Sequence, residues 1–401
     1  MPELIETTHT GSLPRVPAVL DLLKRREAGE EIAGEVFDEA ATAAVREVVR
    51  RQVEAGVTIV NDGEQSKTGY ADYVRDRITG FEDGYGAPRP ASPYANEFVE
   101  ASSIPAGGGQ RAEGRGYGMW VGTGPLSWKN FEAVEKDIRN LKAAAAEFGV
   151  SRPFMTSASP ATFANHNPNI YYAADPKEFL NKPSPQNRQN YIEAISEVMR
   201  REYEAIANAG IVLQIDCPDL GASRWTFFAN LSDEEFLEIA EFHIEALNHA
   251  TKGIPRELKR MHVCWGAGEG PHNHDVPMEK LAPILIKAEV SAISFVAANG
   301  RHAHEWKVWQ EVRVPDGVKL IPGVIDSTTN IVEHPEWVAD RILQFANVVG
   351  AENLVAGVDC GFGPIARASL GVNPLVVWEK LRSLGEGARL ASSRLRSGAA
   401  N

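Results

Sequence analysis

Cysteine is scarce in this chain of 401 residues: Cys217, Cys264 and Cys360 are the whole complement. So sparse and odd a set argues against a disulfide framework, and leaves each thiol as a buried apolar group, a nucleophile or a metal ligand. Long apolar runs are also missing, and no stretch approaches the roughly 18–20 residues that span a bilayer. The opening Met1-Pro2-Glu3-Leu4-Ile5-Glu6 lacks a basic segment followed by an apolar one, so no secretory signal is expected and the expected location is the cytoplasm. Basic residues are in deficit, 41 Lys and Arg against 54 Asp and Glu, for a formal net charge of −13. An acidic surface repels phosphate backbones, so no nucleic acid is expected as a partner, and no membrane. A Gly-rich phosphate turn is absent as well. Neither GxGxxG nor GxxxxGK[ST] follows an early apolar run, and Gly107-Gly108-Gly109 reads more simply as a flexible loop.

What is present is an alternation. Short apolar or β-branched runs at 4–10, 57–62, 119–122, 153–157, 211–216, 260–264, 292–297, 319–324 and 354–359 are separated by segments of helical periodicity such as 38–54, 185–208, 232–250 and 335–349. Strand–helix alternation over this length predicts an α/β fold with a parallel sheet, a (β/α)8 TIM barrel. Nine runs is one too many for that barrel. The run at 119–122 follows a Gly- and Pro-rich stretch, 80–118, which reads as a long insertion after the second strand, either a mobile cover or a contact with a second subunit. A homo-oligomer is therefore a candidate assembly. A doubly wound sheet is the runner-up. The predicted organisation is one catalytic domain over residues 1–391, with 392–401 a disordered tail.

Reactive and small residues recur where these strands end: Asn61-Asp62-Gly63-Glu64, Asp216-Cys217-Pro218, His262-Val263-Cys264, Asp326-Ser327-Thr328 and Asp359-Cys360-Gly361. Barrel enzymes build their sites at that end. His262 and Cys264 stand two apart on a strand and so point to one side, and Cys360 ends another strand across the barrel mouth. One imidazole and two thiolates form a borderline-soft set suited to Zn2+. Three protein ligands leave a fourth position for substrate, the pattern of a catalytic site. A free thiol has a pKa of about 8.5 and is mostly protonated at neutral pH; bound to Zn2+ it loses the proton and becomes a nucleophile.

On these motifs the chain resembles the catalytic barrel of cobalamin-independent methionine synthase, and most of all the single-barrel homologues that include the epoxyalkane:coenzyme M transferases. Thr8-His9-Thr10-Gly11-Ser12-Leu13-Pro14 is similar to the opening strand and turn, which implies that Thr10, Gly11 and Ser12 contact the carboxylate of a thiol substrate. Asp62-Gly63-Glu64 and Leu213-Gln214-Ile215-Asp216 resemble the segments whose carboxylates hold the substrate amino group, implying that role for Glu64 and Asp216. His262-x-Cys264 and Asp359-Cys360-Gly361 match the zinc ligands. The implied activity is transfer of a methyl or other alkyl group from a methylated pterin or an epoxide onto a small thiol, with Zn2+ as cofactor.

Three positions depart from the family pattern. Val296 stands where a glutamate completes the zinc shell, leaving an open site, a water, or Cys217, Glu64 or His302 as substitutes. Thr328, a candidate catalytic residue, stands near the place of the family's proton-transferring histidine, and His166 where a tryptophan stacks on folate. Epoxide opening by a thiolate is therefore an alternative, with Arg224 or Arg301 as candidate partners for a sulfonate. A non-catalytic zinc-binding homologue is another, and an unrelated metal-free barrel of the uroporphyrinogen decarboxylase type a third. The polar run Asn299–Glu305 reads as a supporting network or an anion clamp through Arg301, and His272 and His274 as loop residues near substrate. Lys67, Tyr70 and Tyr73 follow Glu64 at helical spacing.

Overall fold

The computed structural model describes residues 4–81, 86–88, 118–173, 185–229, 231–268, 271–366 and 372–398. Its strands are β1 (Glu6–Thr7), β2 (Gly86–Pro88), β3 (Gly118–Trp120), β4 (Phe154–Ala158), β5 (Val212–Asp216), β6 (Lys259–Val263), β7 (Ala292–Phe295), β8 (Lys319–Pro322) and β9 (Val355–Ala356). The five strands β4 to β8 pair in parallel in chain order, and β9 pairs in parallel with β1. Two joins close the ring. Leu320 and Gly323 bridge Leu354 and Gly357 in parallel, linking β8 to β9. On the other side Thr8 bridges Ile59, and the Phe154 amide donates to the Val60 carbonyl at 2.9 Å, so residues 57–60 form the stave between β1 and β4. The ring has the eight staves of a (β/α)8 barrel.

The surplus apolar run belongs elsewhere, as its Gly- and Pro-rich approach implied. β3 pairs antiparallel with β2 in a two-stranded sheet apart from the barrel. Most of the expected insertion, including Gly107-Gly108-Gly109, lies outside the described residues. The C-terminus differs from expectation. Its last helix, Pro374–Gly398, continues past residue 391. Packing explains the difference: Ala391 and Ser392 are buried, Leu395 packs on the main core, and the Ser392 hydroxyl accepts the Ile5 amide at 2.9 Å.

Period-two alternation sets the layers inside the barrel. Ile59, Phe154, Val212, Ala292, Ile321 and Val355, each from a different stave, form their own apolar cluster. Arg260, the second residue of β6, begins a polar layer. The Arg260 guanidinium stacks 3.6 Å from the Phe154 ring and donates to Gln214 Oε1 at 2.8 Å and to Thr8 Oγ1 at 3.2 Å. One step further come Asp216 and His262, register partners on β5 and β6. The staves thus carry a dry floor, a hydrogen-bonded middle and a reactive rim.

Candidate metal centre

Asp359 holds the rim in shape. Its Oδ1 accepts the amides of Ala297 and Ala298, both at 2.8 Å, and its Oδ2 that of Asn299 at 2.7 Å. Burial nonetheless pushes this carboxyl up to about 7 against those donors. The clasp fixes the backbone immediately before Cys360 against the segment leaving β7.

His262, Cys264 and Cys360 are buried, and their ligating atoms lie within 4.8 Å of one another. His262 Nδ1 lies 3.1 Å from Ser294 Oγ, while its Nε2 is buried with no hydrogen-bond partner. A buried polar nitrogen costs free energy unless something meets it. The ring stands beside two sulfurs, one of its ligating atoms within 4.8 Å of both. The Cys360 thiol and the His262 imidazole hold the Cys264 thiol well below the usual range, and Cys360 is pushed well above it by the same sulfur–sulfur hydrogen bond and by burial. The orphaned nitrogen and the soft donor set fit Zn2+, with Ser294 orienting the ring from its far side as ligand histidines commonly require.

These three side chains open onto a cavity of about 80 Å3 whose lining includes Thr10, Ser12, Glu64, Tyr70, Asp216, His262, Cys264, Cys360 and Gly361. Gly11 lies against the same place: a Cβ on it would stand 3.3 Å from Glu64 Oε1 and 2.4 Å from the Thr156 methyl, and its φ of +144° also favours glycine. Glu64 itself has φ +55°, an uncommon left-handed backbone for a side-chain-bearing residue, after Gly63 at +64°. The Asp62 carboxylate stabilises this turn by accepting the Glu64 amide at 3.0 Å. Glu64 Oε1 accepts from Thr156 Oγ1 at 2.9 Å, and Oε2 is buried without a hydrogen bond, 3.7 Å from the Arg15 guanidinium. Asp216 Oδ1 accepts from Gln214 Nε2 at 2.8 Å. Burial and the nearby Glu64 charge push the Asp216 carboxyl well above the usual range. Two carboxylates forced together in a dry place need a proton or a cation between them.

Other expected residues fall elsewhere. Thr328 is half-buried, donates its hydroxyl to Asp326 Oδ1 at 2.7 Å, and is not among the cavity residues. Arg301 is exposed and donates to the Asn273 carbonyl at 3.3 Å, and Arg224 pairs with Asp233 at 3.0 Å. Of the three substitutes for the missing glutamate, only Glu64 lines the cavity. Cys217 is buried with its sulfur toward the Ile215 carbonyl, and His302 is engaged by Asp275 and Glu305. Val296 is buried. Lys67 Nζ donates to the Thr156 carbonyl at 2.6 Å, and the Tyr73 hydroxyl lies 3.0 Å from Ser157 Oγ. His166 Nε2 lies 3.0 Å from the hydroxyl of Tyr70, which does line the cavity.

Sequence reasoning missed Ser294, Thr156 and Gln214. A signal existed for Ser294, the one polar residue in the span Ala292–Phe295, because a hydroxyl inside an apolar strand needs a partner.

Comparison with known proteins agrees with this architecture. Residues 133–369 match the family model described as the catalytic domain of cobalamin-independent synthase. A curated methionine synthase of Saccharolobus islandicus is 23% identical over 402 residues, covering 98% of this chain and 96% of the relative. The methionine synthase of Sulfolobus acidocaldarius is 22% identical, covering 95% of each chain. Among solved structures, a B12-independent methionine synthase from Shewanella in complex with selenomethionine superposes with a TM-score of 0.72 at 20% identity, covering 98% of this chain and 99% of that one. A putative vitamin-B12-independent methionine synthase from Listeria monocytogenes gives 0.62 at 18% identity, covering 96% and 98%.

Proposed function

The chain belongs to the family of cobalamin-independent synthase catalytic domains, and from that premise we propose that it transfers a methyl group onto the sulfur of a small amino-thiol, with Zn2+ as cofactor. The observation that carries the reading is the convergence of the imidazole and two thiols on the same cavity as two buried carboxylates.

His262, Cys264 and Cys360 would hold the ion, Ser294 fixing the ring of the first. When bound, Zn2+ would supply Lewis acidity that turns an incoming thiol into a thiolate near neutral pH. Glu64 and Asp216 hold the substrate ammonium. Glu64 Oε2 offers an unfilled acceptor, and a cation between the two carboxylates offsets the burial and the Glu64 repulsion that push the Asp216 carboxyl up. The turn at Thr10, Gly11 and Ser12 lies beside them, where the substrate carboxylate would sit. Bound this way, the sulfur is aimed at the donor methyl carbon. The new S–C bond forms as the donor–carbon bond breaks, and the proton given up by the thiol ends on the leaving group.

The carboxylates also bear on the competing chemistry. A sulfonate thiol would carry its negative charge toward Glu64 and Asp216. Arg224 is paired with Asp233, and Arg301 lies exposed away from the cavity. An amino-thiol therefore fits the cavity better than coenzyme M does.

The test is a screen of amino-thiols, and of sulfonate thiols as controls, against methylated pterins and epoxides, each with and without a chelator. Chelator-sensitive S-methylation of an amino-thiol is expected. Thioether formation from a sulfonate thiol and an epoxide would replace this reading, and zinc uptake without turnover of any pair would make the protein a binding homologue.

A further inference from the structure

Four titratable side chains gather outside the cavity and have no part in the reaction above. His272 and Asp275 come from the loop after Cys264, and His302 and Glu305 from the segment after β7. The ligating atoms of His272, Asp275 and His302 lie within 4.8 Å of one another, and all three residues are buried. Asp275 Oδ2 is 2.6 Å from His272 Nδ1 and 2.9 Å from His302 Nε2. The far nitrogen of each ring is already met: His302 Nδ1 lies 2.7 Å from Glu305 Oε2, and His272 Nε2 lies 3.3 Å from the Gly268 carbonyl.

An acceptor at the far nitrogen keeps a proton there. The two inner nitrogens and Asp275 Oδ2 then point three lone pairs at one another. Such an arrangement is held together either by a further proton on each ring or by one divalent cation. Asp275 Oδ1 is buried with no partner, a further oxygen that the proton-held form leaves unsatisfied. His272 adopts a left-handed φ of +55°, a strained backbone that brings its ring to the cluster.

We propose that His272, Asp275 and His302 form a second metal site, for a divalent first-row transition ion. Two ring protons leave as one divalent ion enters, so the buried charge is unchanged. Two imidazoles and a carboxylate, without sulfur, make this a nitrogen–oxygen site unlike the thiolate centre. Carboxylate and carbonyl groups behind the two rings are the supporting shell that ligand histidines normally have. The ion clamps the loop after Cys264 to the segment after β7. The Trp265 ring packs on His302 with centroids 4.4 Å apart, so the clamp reaches the residue next to a ligand of the first centre.

Cobalt(II) is the probe, because thiolate ligands give it an intense near-ultraviolet charge-transfer band while nitrogen and oxygen ligands give only weak visible bands. The full chain should bind two equivalents. Cys264→Ser/Cys360→Ser should lose the thiolate band and keep one equivalent with weak visible bands. Asp275→Asn and His302→Gln should keep the thiolate band and lose one equivalent, with circular dichroism showing an intact fold. If the double cysteine variant binds no cobalt, or if Asp275→Asn binds as much as the unmodified chain, the cluster is a proton-held ion-pair network and the proposal is overturned. Failure of the first centre reads differently: no thiolate band in the unmodified chain, with one equivalent retained in the cysteine variant.

Discussion

A single hydroxyl decides which nitrogen of His262 faces the two sulfurs. Ser294 Oγ sits at Nδ1, so Nε2 is the nitrogen left for an ion. Removing a partner of this kind typically costs about 10–100-fold in metal affinity, and Ser294→Ala should weaken zinc by that factor in a competition titration while the fold stays intact. Glu64→Gln should raise KM for an amino-thiol by about 10-fold or more, the order expected for losing one arm of a buried charged contact. The same variant should leave the KM of a thiol without an amino group nearly unchanged, which a steady-state comparison of the two substrates would show. His9 makes a pH prediction. Burial lowers its pKa from 6.5 to about 4, and the neutral ring is satisfied by Gln52 Oε1 at 2.8 Å and by the Gly11 amide at 3.2 Å. A depressed folded pKa means the unfolded chain binds the proton first. The contribution is fully present above 6.5 and lost as pH falls through about 4, on the order of 3 kcal/mol at most. Asp62 and Asp359, raised to about 6 and about 7, act in the opposite sense, their contribution being lost as pH rises through those values. The difference between the unmodified chain and His9→Gln isolates the histidine: denaturant melts should show the variant losing less stability between pH 6.5 and 4.

At the scale of the element, the strand ends depend on how closely β8 approaches β9. A Cβ on Gly323 would lie 2.0 Å from Asp359 Oδ1 and 2.7 Å from the Asp359 backbone nitrogen. Gly323→Ala must therefore push the Asp359 clasp, and Cys360 with it, away from β7. Overpacking of this kind costs about 1–3 kcal/mol, and the variant should show both a lower melting temperature and weaker zinc binding. Much at this scale was legible beforehand. The eight staves announce themselves as short apolar runs because a parallel strand is covered on both faces, and the ninth was separable by its Gly- and Pro-rich approach. That His262 and Cys264 share a side follows from the strand period alone. Contacts between loops have no such period. Nothing in the spacing of His272, Asp275 and His302 foretells that they meet, since loop conformation decides it. His302 was one of several equal candidates for the first centre until the geometry placed it in another cluster.

For the whole molecule, barrel closure brings the two ends of the chain together, and this is where local composition misled most. The small and polar residues after 391 look like a tail. Yet Ser392 closes a link across the chain, accepting the buried Ile5 amide at 2.9 Å and donating to the Ala388 carbonyl at 2.7 Å. Leaving a buried donor unmet costs about 1–3 kcal/mol, and deleting residues 392–401 should lower unfolding stability by at least that, because Leu395 is lost from the core surface as well. A disordered tail would be removable at no cost, so chemical denaturation of the shortened chain separates the two views.

Zinc K-edge X-ray absorption on the metal-loaded protein, before and after adding an amino-thiol, bears most directly on the account, and using Asp275→Asn keeps any second ion from blurring the signal. The free protein should show two sulfurs at about 2.3 Å with lighter nitrogen or oxygen neighbours at about 2.0 Å, and the thiol should add a third sulfur. A sulfur count that does not rise would mean that the thiol never reaches the ion. Absence of sulfur neighbours in the free protein would mean that Cys264 and Cys360 do not hold it.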